Sequence, residues 1–283
     1  MTHRAVRRSA RRILRRALPH ALLSLLVLLS LYPFLFMLLA SLKSNEQFYH
    51  AYFAPSLPLQ WGNYAEAWGQ VGRYLVNSVT VTAVSVAGSL LFAGMAAYAF
   101  ARYRFPGSRA LYLAILIVLL IPGTLTLIPA FVILRQLSLI GSHASLYAVY
   151  ITETQVLGLL ILRSFFAGVP EELVEAASLD GAGEVTTAAR VVMPLAKPAF
   201  LTVAIMSVLS CWNDYLWPLI TLPDTRLWTV TLGLVSFRDR YAGMSAWGPL
   251  FAGFVIASVP LFLLFFASMR HFVSGLTSGA VKA

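Results

Sequence analysis

Two carboxylic acids interrupt stretches that are otherwise apolar enough to cross a bilayer. Glu153 lies within residues 145–163, and Asp214 lies within residues 198–222. An ionisable side chain at the centre of a membrane helix costs about 2.5–3.5 kcal/mol on insertion scales, so such groups usually face protein or water. Both acids are therefore candidate members of a polar pathway through the membrane.

Glu153 sits in a polar island formed with Thr152, Thr154 and Gln155. It precedes Arg163 by ten residues, which at the helical rise per residue is about 15 Å and places it near the membrane middle. One interpretation is that its carboxyl group hydrogen-bonds a hydroxylated or cationic substrate. The other is that a protonated Glu153 bonds a helix of a neighbouring subunit. The sequence leaves both open.

Asp214 is predicted near the outer third of its apolar stretch, directly after Trp212 and Asn213. Amide and carboxylate groups beside an aromatic ring are a common means of holding a sugar, because hydroxyls need paired partners and the apolar ring face needs a platform. A structural network that closes the outer end of the pathway, or a contact with an external protein, explains the pattern equally well. Three small polar residues share the helical face of Asp214 at spacings of seven, four and three: Ser207, Ser210 and Cys211.

The segment 170-PEELVEAASLDGAG-183 is the acidic interruption of this oily chain. Pro170 suits the first helical position, where an N–H would be unpaired, and two glutamates follow it in the first turn. Asp180 and Gly181 predict that this helix ends near Leu179. A second short helix is expected to run to about Val192 and to stop at Pro194.

The two short helices predict a hairpin that projects between the fourth and fifth apolar stretches. Leu173, Ala176 and Ala177 lie close to one face with few bulky groups, which suits docking into a groove of another protein. The alternative is an amphipathic hairpin lying on the lipid surface. Anionic headgroups would repel its five acids, which weighs against that alternative: Glu171, Glu172, Glu175, Asp180 and Glu184.

Composition indicates an all-α polytopic membrane protein. The chain has 283 residues, 59% of them hydrophobic and 11% charged, against about 25% charged in soluble domains. Its single cysteine, Cys211, excludes a disulfide framework and any C-x-x-C site. Six spans of sufficient length are predicted, at residues 20–42, 75–101, 110–133, 145–163, 198–221 and 247–268.

The distribution of basic residues predicts which side of the membrane each loop occupies. A basic tail at residues 1–19 precedes the first span, and with the N-terminus inside the cell 15 Lys and Arg lie inside and 6 outside. The tail most simply meets anionic lipid rather than nucleic acid. The first apolar run exceeds a typical signal-peptide core and no clear A-x-A site follows, so we expect an anchor helix. On this topology the six tryptophans fall on the outer side.

Two further spans carry packing signals. Small residues recur every fourth position in the second span and predict close contact with a neighbouring helix: Ser85, Ser89, Ala93, Ala97 and Ala101. In the third span, Pro122, Gly123 and Pro129 predict a kink beside protein or a cavity.

With these features described, the chain resembles the permease subunits of ABC importers. Glu175-Ala176-Ala177, three residues, Gly181, nine residues and then 191-VVMP-194 are similar to the EAA loop of that family, with Val191 and Met193 as mild departures from its Ile and Leu. Other stretches resemble the carbohydrate branch, the maltose permease-like subunits: 122-PGTLTLIPAF-131, 161-ILRSFF-166, 210-SCWNDYLWPLI-220 and 275-GLTSGAVK-282.

The resemblance implies a transmembrane domain at residues 20–283 with a coupling loop at residues 164–197. It also implies a second permease subunit, two ATP-binding subunits that hold ATP and Mg, and an extracytoplasmic substrate-binding protein. This chain itself has no G-x-x-x-x-G-K-[ST] loop, so no cofactor is expected in it. The family's coupling residues carry over to Glu175, Ala176, Ala177, Asp180 and Gly181, and its Trp-Asn-Asp element to Trp212, Asn213 and Asp214.

Other functions remain as alternatives. Catalysis or metal binding would need clustered groups, whereas the histidines are scattered. An ion-coupled transporter with Glu153 as its proton site is a remote alternative. Within the family, a glycerol-3-phosphate or other polyol permease is the nearer one. Arg163 stands at the very end of a predicted span and no arginine is evident in the membrane interior, which favours a neutral sugar. The substrate-pathway candidates are Asn213, Asp214, Trp212, Glu153 and Ser210.

Overall fold

The computed structural model describes the backbone of residues 2–280 and the side chains of residues 18–269. The basic residues at 4–16 and the whole motif at 275–282 lie outside the described side chains. Over the described backbone the regular structure is entirely helical, which confirms the all-α prediction. The α-helices are α1 (Thr2–Ser41), α2 (Asn45–His50), α3 (Gly62–Arg102), α4 (Ser108–Val118), α5 (Gly123–Gln136), α6 (His143–Ala167), α7 (Glu171–Leu179), α8 (Glu184–Thr187), α9 (Met193–Leu195), α10 (Lys197–Asn213), α11 (Leu216–Thr221), α12 (Val230–Gly243) and α13 (Trp247–Ala280).

Among the described residues, four apolar helical stretches are long enough to cross a membrane. Two bent pairs of helices raise the number to six if each pair is one span, and their members meet at 102° and 75°. The multi-pass architecture agrees with the prediction, and the predicted six spans are reached only if each bent pair is counted as one span. The four stretches are Leu18–Ser41, Gly62–Arg102, His143–Ala167 and Trp247–Met269, and the pairs are Ser108–Val118 with Gly123–Gln136 and Glu184–Leu195 with Lys197–Asn213.

The third predicted span contains the sharpest of these breaks. α4 ends at Val118, and α5 begins at Gly123 after Pro122. Pro122 has φ −58° and ψ 129°, outside helical geometry. A proline lacks an N–H for the helix and its ring disfavours helical geometry at the preceding residue, so α4 ends before it. Pro129 lies inside α5 without ending it. The predicted kink is therefore a break in the helix at Pro122, whereas Pro129 is accommodated within α5.

The contacts divide the chain into two compact units, residues 1–70 with 237–258, and residues 71–236 with 259–283. In the first unit, a loop after α1 is fixed by a buried cation. Lys43 is 1% exposed, and its ammonium donates to the carbonyls of Ala51 and Tyr52 at 2.5 and 3.2 Å, just past the end of α2. Burial lowers the pKa of Lys43. Phe48 of α2 stacks on Trp247, with ring centroids 5.5 Å apart.

In the second unit, the small-residue stripe of α3 is the site of a close helix contact. Ser85, Ser89, Ala93 and Ala97 are fully buried. A Cβ added to Gly158 of α6 would lie 2.9 Å from the Cβ of Ala93, so this crossing requires glycine. The predicted packing role of the stripe is thus confirmed. α6 also packs against α4, α10 and α11, and so it forms the centre of the unit.

Candidate functional site

The first candidate site is the hairpin at residues 170–195, which we call the coupling hairpin. α7 begins directly after Pro170, which occupies the N-cap rather than the predicted first helical position. At its C-terminus, Gly181 has φ +81° and Ala182 donates its N–H to the carbonyl of Ala177 at 2.9 Å. Gly181 in turn donates to Ser178 at 3.0 Å. These two bonds form a Schellman motif, which needs a left-handed residue at this position. The predicted glycine turn is present.

The second limb of the coupling hairpin differs from the prediction. The short helix α8 passes into a π-helix at Ala188–Val192, and α9 then carries the chain through Pro194 to Leu195. Pro194 therefore does not stop the helix. Its ring would collide with the carbonyl four residues earlier in a regular α-helix, and the wider π turn just before it relieves that conflict.

Most of the coupling hairpin is left uncovered by the described part of the chain. There, no residue of α7 is buried, and the apolar side chains of Leu179 and Val185 at the turn are 89% and 83% exposed. Among the coupling residues taken from the family motif, Ala177 is half-buried. The others, which are Glu175, Ala176, Asp180 and Gly181, are exposed. The hairpin thus presents an acidic surface with two uncovered apolar side chains at its tip.

The base of the coupling hairpin is held by contacts within the second unit. Thr187 and Val192 are buried there. Tyr103, just after α3, donates its hydroxyl to Glu184 Oε2 at 2.8 Å, and this bond is the main cause that raises the pKa of Tyr103. Leu173 lines a cavity of about 510 Å³ together with Val169, Leu195 and other residues at this base. The hairpin is therefore anchored at one end and open at the other.

The second candidate site is a set of hydrogen-bonded side chains on α6, α10 and α11, which we call the polar cluster. Tyr150 donates its hydroxyl to Asp214 Oδ2 at 2.7 Å, and the other carboxylate oxygen of Asp214 accepts the N–H of Leu216 at 3.0 Å. Asp214 has φ −71° and ψ 131° and leaves the helix that ends at Asn213. The carboxylate thus accepts the first N–H of α11 and links that helix to α6.

Glu153 forms the second pair of the polar cluster. Its Oε1 accepts the indole N–H of Trp217 at 3.0 Å. At the next position of α6, the hydroxyl of Thr154 lies 3.3 Å from that of Ser207 on α10. The hydrogen-bond partner of Glu153 is therefore in the same chain, on α11. Glu153 and Ser210 also line one cavity of about 190 Å³ between α6 and α10, whose other lining residues are Thr154, Leu157, Gly158, Ile161, Val203, Met206 and Ser207.

The predicted grouping around Asp214 is only partly present. Ser207 and Cys211 are buried, whereas Ser210 is exposed to the cavity. Since α10 ends before Asp214, the four residues do not share one helical face.

Trp212 and Asn213 also differ from the arrangement expected of a sugar-binding element. Trp212 is 6% exposed, and its carbonyl accepts the hydroxyl of Thr231. Asn213 turns its amide back to the carbonyl of Leu209 at 2.8 Å. Neither joins Asp214 in an open binding face within the described part of this chain.

Sequence reasoning missed Tyr150 and Trp217, the partners of the two acids. Tyr150 lies three residues before Glu153 and Trp217 three residues after Asp214, so each acid has an aromatic hydrogen-bond donor at helical spacing. In the structure, however, neither aromatic residue bonds the acid near it in sequence. Tyr150 bonds Asp214, and Trp217 bonds Glu153. Among the described residues, no group of three His, Cys, Asp or Glu side chains could hold a metal ion.

Comparison with known proteins identifies a family. Residues 89–278 match the family described as binding-protein-dependent transport system inner membrane component. The match covers both the coupling hairpin and the polar cluster.

Similar proteins are found over most of the chain. The diacetylchitobiose uptake system permease protein NgcG of Streptomyces coelicolor is 32% identical over 254 residues, which cover 88% of this chain and 83% of that protein. The arabinooligosaccharides transport system permease protein AraQ of Halalkalibacterium halodurans is 31% identical over 261 residues, 90% of this chain and 92% of that protein. A chain from the crystal structure of a bacterial ABC transporter involved in the import of the acidic polysaccharide alginate has the same fold, with a TM-score of 0.82 at 21% identity over 92% of this chain and 96% of that one.

Proposed function

This chain belongs to the family of binding-protein-dependent transport system inner membrane components, and we propose that it forms half of the translocation pathway for a neutral sugar or oligosaccharide. It is a permease subunit of an ABC transporter and not an enzyme. The names of its relatives supply the substrate class, since NgcG is named for diacetylchitobiose and AraQ for arabinooligosaccharides.

The cavity between α6 and α10 is the observation that carries the proposal for a neutral substrate. Its polar lining consists of hydroxyls and the carboxyl group of Glu153, and its remaining lining is apolar. Hydroxyls and a carboxylate offer the paired donors and acceptors that a sugar needs, beside apolar surface for the sugar ring faces. Among the described residues, no Lys or Arg lines this cavity. A phosphorylated or acidic substrate would meet Glu153 with no compensating cation, which disfavours the glycerol-3-phosphate alternative.

The coupling hairpin supports the proposal that ATP hydrolysis elsewhere drives this subunit. Leu179 and Val185 are almost fully exposed at its tip, and exposed apolar groups ringed by polar ones are typical of protein-binding sites. Five acidic residues in the hairpin disfavour a lipid surface as the covering partner. We assign the role of contacting the ATP-binding subunit to Glu175, Ala176, Ala177, Asp180 and Gly181.

A functional transporter then requires further subunits. As a permease of this family, the chain works in a complex. We propose a second permease that completes the pathway, two ATP-binding subunits that carry ATP and Mg, and an extracytoplasmic substrate-binding protein. We place the complex in a bacterial or archaeal plasma membrane. Both termini of this chain are proposed to lie on the cytoplasmic side, as the excess of Lys and Arg there predicts.

Uptake by the reconstituted complex tests the substrate class. We expect ATP-dependent accumulation of a neutral oligosaccharide delivered by the binding protein, and no accumulation of glycerol-3-phosphate or of an alginate oligosaccharide. Accumulation driven by an ion gradient without ATP, or preference for the phosphorylated substrate, would contradict the proposal.

A matched pair of variants tests the cavity itself. Ser210→Phe fills it, whereas Leu209→Phe adds a similar ring at the adjacent position, which is exposed and does not line the cavity. The added ring occupies volume that the substrate would need, so uptake with Ser210→Phe should fall about tenfold, which corresponds to about 1.4 kcal/mol, while Leu209→Phe stays near the native rate. Equal rates for both variants would remove this cavity from the pathway.

A further inference from the structure

A second cavity in the same unit is lined by two arginines that have no acidic partner among the described residues. It measures about 390 Å³ and lies where α3 ends, α4 begins and α6 ends. On the predicted topology this is the cytoplasmic side of the membrane. The lining residues are Phe100, Ser108, Arg109, Tyr112, Leu113 and Arg163.

Arg163 is held in place but not neutralised. Its guanidinium carbon lies 4.1 Å from the centre of the Tyr112 ring, and its Nε donates to the carbonyl of Phe100 at 3.4 Å. In the described part of the chain, ion pairs join only Arg226 to Asp224 and Arg238 to Asp239. The terminal residues without described side chains contain no Asp or Glu. The terminal nitrogens of Arg163 are thus left for a ligand.

Arg109 adds a second positive charge at the start of α4. It is exposed, and no side chain caps the helix, whose N-cap is Gly107. Uncapped N–H groups and the helix dipole favour an anion at this end. Glu184, an acid that reaches this loop, is engaged by the Tyr103 hydroxyl. Two guanidinium groups, the Ser108 hydroxyl and a helix N-terminus therefore meet around one cavity.

An apolar stripe continues from this cavity along α4. Leu113 lines the cavity and is half exposed. Ile117 follows one turn later on α4, and Leu120 lies in the turn just after the helix, both with exposed side chains. A free phosphate ion would have no use for this stripe. A lipid would place its acyl chain along the stripe while its headgroup phosphate entered the basic cavity.

We propose that this cavity binds the phosphodiester headgroup of an anionic phospholipid of the cytoplasmic leaflet. Arg109 and Arg163 contact the phosphate, and Leu113, Ile117 and Leu120 contact the acyl chain. The site goes beyond the proposed transport function and depends only on the predicted orientation of the chain in the membrane. A lipid bound there would contact both α4 and α6 near the end of α6, just before the coupling hairpin begins.

Lipid binding by the purified transporter complex in neutral detergent tests this site. Native mass spectrometry would count dioleoyl phosphatidylglycerol bound during a titration, with dioleoyl phosphatidylcholine as the neutral comparison. Charge-assisted hydrogen bonds are stronger than neutral ones, so Arg109→Gln should weaken binding of the last retained phosphatidylglycerol about tenfold. Because Arg109 is exposed and forms no ion pair within the described residues, this variant should fold normally, whereas Arg163→Gln also loses a backbone contact.

The matched control is Arg104→Gln, which removes the same charge from an exposed position on the same loop outside the cavity. It should leave phosphatidylglycerol binding unchanged. An equal loss with Arg104→Gln would show general attraction to a basic surface and overturn the site. Displacement of the lipid by excess inorganic phosphate would show a free-anion site instead, and unchanged binding with Arg109→Gln would also contradict the proposal.

Discussion

The polar cluster and the coupling hairpin satisfy their chemical groups in opposite ways. In the polar cluster, each acid finds its partner within the chain, Tyr150 for Asp214 and Trp217 for Glu153. In the coupling hairpin, the described structure buries no residue of α7, and Leu179 and Val185 extend from the turn with almost no cover.

The solvent of each region explains this difference. An unsatisfied polar group in the hydrocarbon core costs several kcal/mol, so the polar cluster must be complete before any partner or substrate arrives. On the predicted topology the coupling hairpin projects into water, where its polar groups are solvated and its apolar tip is exposed. The two acids of the polar cluster are thus satisfied within the chain, whereas we propose that another subunit covers the tip of the coupling hairpin.

The largest effect is expected from Gly181→Val, which breaks the turn of the coupling hairpin. Gly181 has φ +81°, and the described residues leave open space around the position that its Cβ would take, so the cost is backbone strain and not a clash. A left-handed conformation costs about 1–2 kcal/mol for an ordinary residue and more for a β-branched one. Transport-coupled ATP hydrolysis by the reconstituted complex should fall more than tenfold, with the fold largely kept. Gly181→Asn is the matched control, because asparagine tolerates this conformation.

Normal coupled hydrolysis with Gly181→Val would contradict the coupling role of the hairpin. An equal loss with Gly181→Asn would attribute the effect to the side chain and not to the backbone.

The next largest effect should come from Leu179→Ala at the uncovered tip. Leu179 contacts little of its own chain, so the stability of the isolated subunit should not change. If a partner subunit covers Leu179, its truncation should cost about 1–2 kcal/mol at the interface, which is about tenfold in affinity. Co-purification of the ATP-binding subunits at increasing dilution would measure the loss. Thr186→Ala, at an exposed position in the same hairpin, should have no effect on this assembly. If Leu179→Ala assembles as well as the native protein, the tip does not contribute to binding the ATP-binding subunits.

The polar cluster offers a sharper contrast through Asp214→Ala. Removing this carboxylate leaves the buried Tyr150 hydroxyl without a partner, which costs about 1–3 kcal/mol. We expect uptake to fall about fivefold and assembly with the ATP-binding subunits to fall less. Equal uptake in Asp214→Ala and native protein would exclude a direct role for this acid.

The double variant Asp214→Ala with Tyr150→Phe separates structure from substrate contact. Replacing both partners of the Tyr150–Asp214 bond by apolar groups can be nearly neutral. A structural role through this bond therefore predicts that uptake recovers partly toward native, although the N–H of Leu216 still lacks its acceptor. A carboxylate that contacts the sugar predicts that the double variant stays as defective as Asp214→Ala alone.

These two regions also differ in how far the sequence could predict them. The end of α7 at Leu179 is a local event, set by Asp180, Gly181 and the Schellman bonds, and it is predicted to the residue. At the end of α10, Asp214 leaves the helix and bonds Tyr150, 64 positions away in the chain. Local patterns do not contain such a pairing, and the predicted helical face through Asp214 was wrong.

The same reasoning applies to backbone breaks. Pro122 ends a helix as its missing N–H predicts, whereas Pro194 is accommodated by a π turn. Proline excludes one geometry, and the surrounding packing decides which alternative is adopted. Hydropathy predicted the apolar spans, and Pro122 predicted a kink in the third one. The size of that bend, 102°, depends on tertiary structure and could not be predicted from local sequence.

The smallest effect is expected where the coupling hairpin does have a partner within the chain, at Tyr103 and Glu184. Their bond is exposed, so Tyr103→Phe should lower coupled transport only about twofold, and hydrogen–deuterium exchange of residues 184–192 should rise.

The raised pKa of Tyr103 favours the neutral phenol. The contribution of the Tyr103–Glu184 bond to stability is therefore fully present below the ordinary tyrosine pKa of about 10. It is lost only as the pH rises through the higher pKa of the folded protein.

Glu184→Gln, which keeps an acceptor oxygen, should lower coupled transport less than Glu184→Ala. Unchanged exchange in Tyr103→Phe would mean that the burial of Thr187 and Val192 alone fixes the base of the hairpin, and that the hairpin depends on its own chain only through apolar contacts.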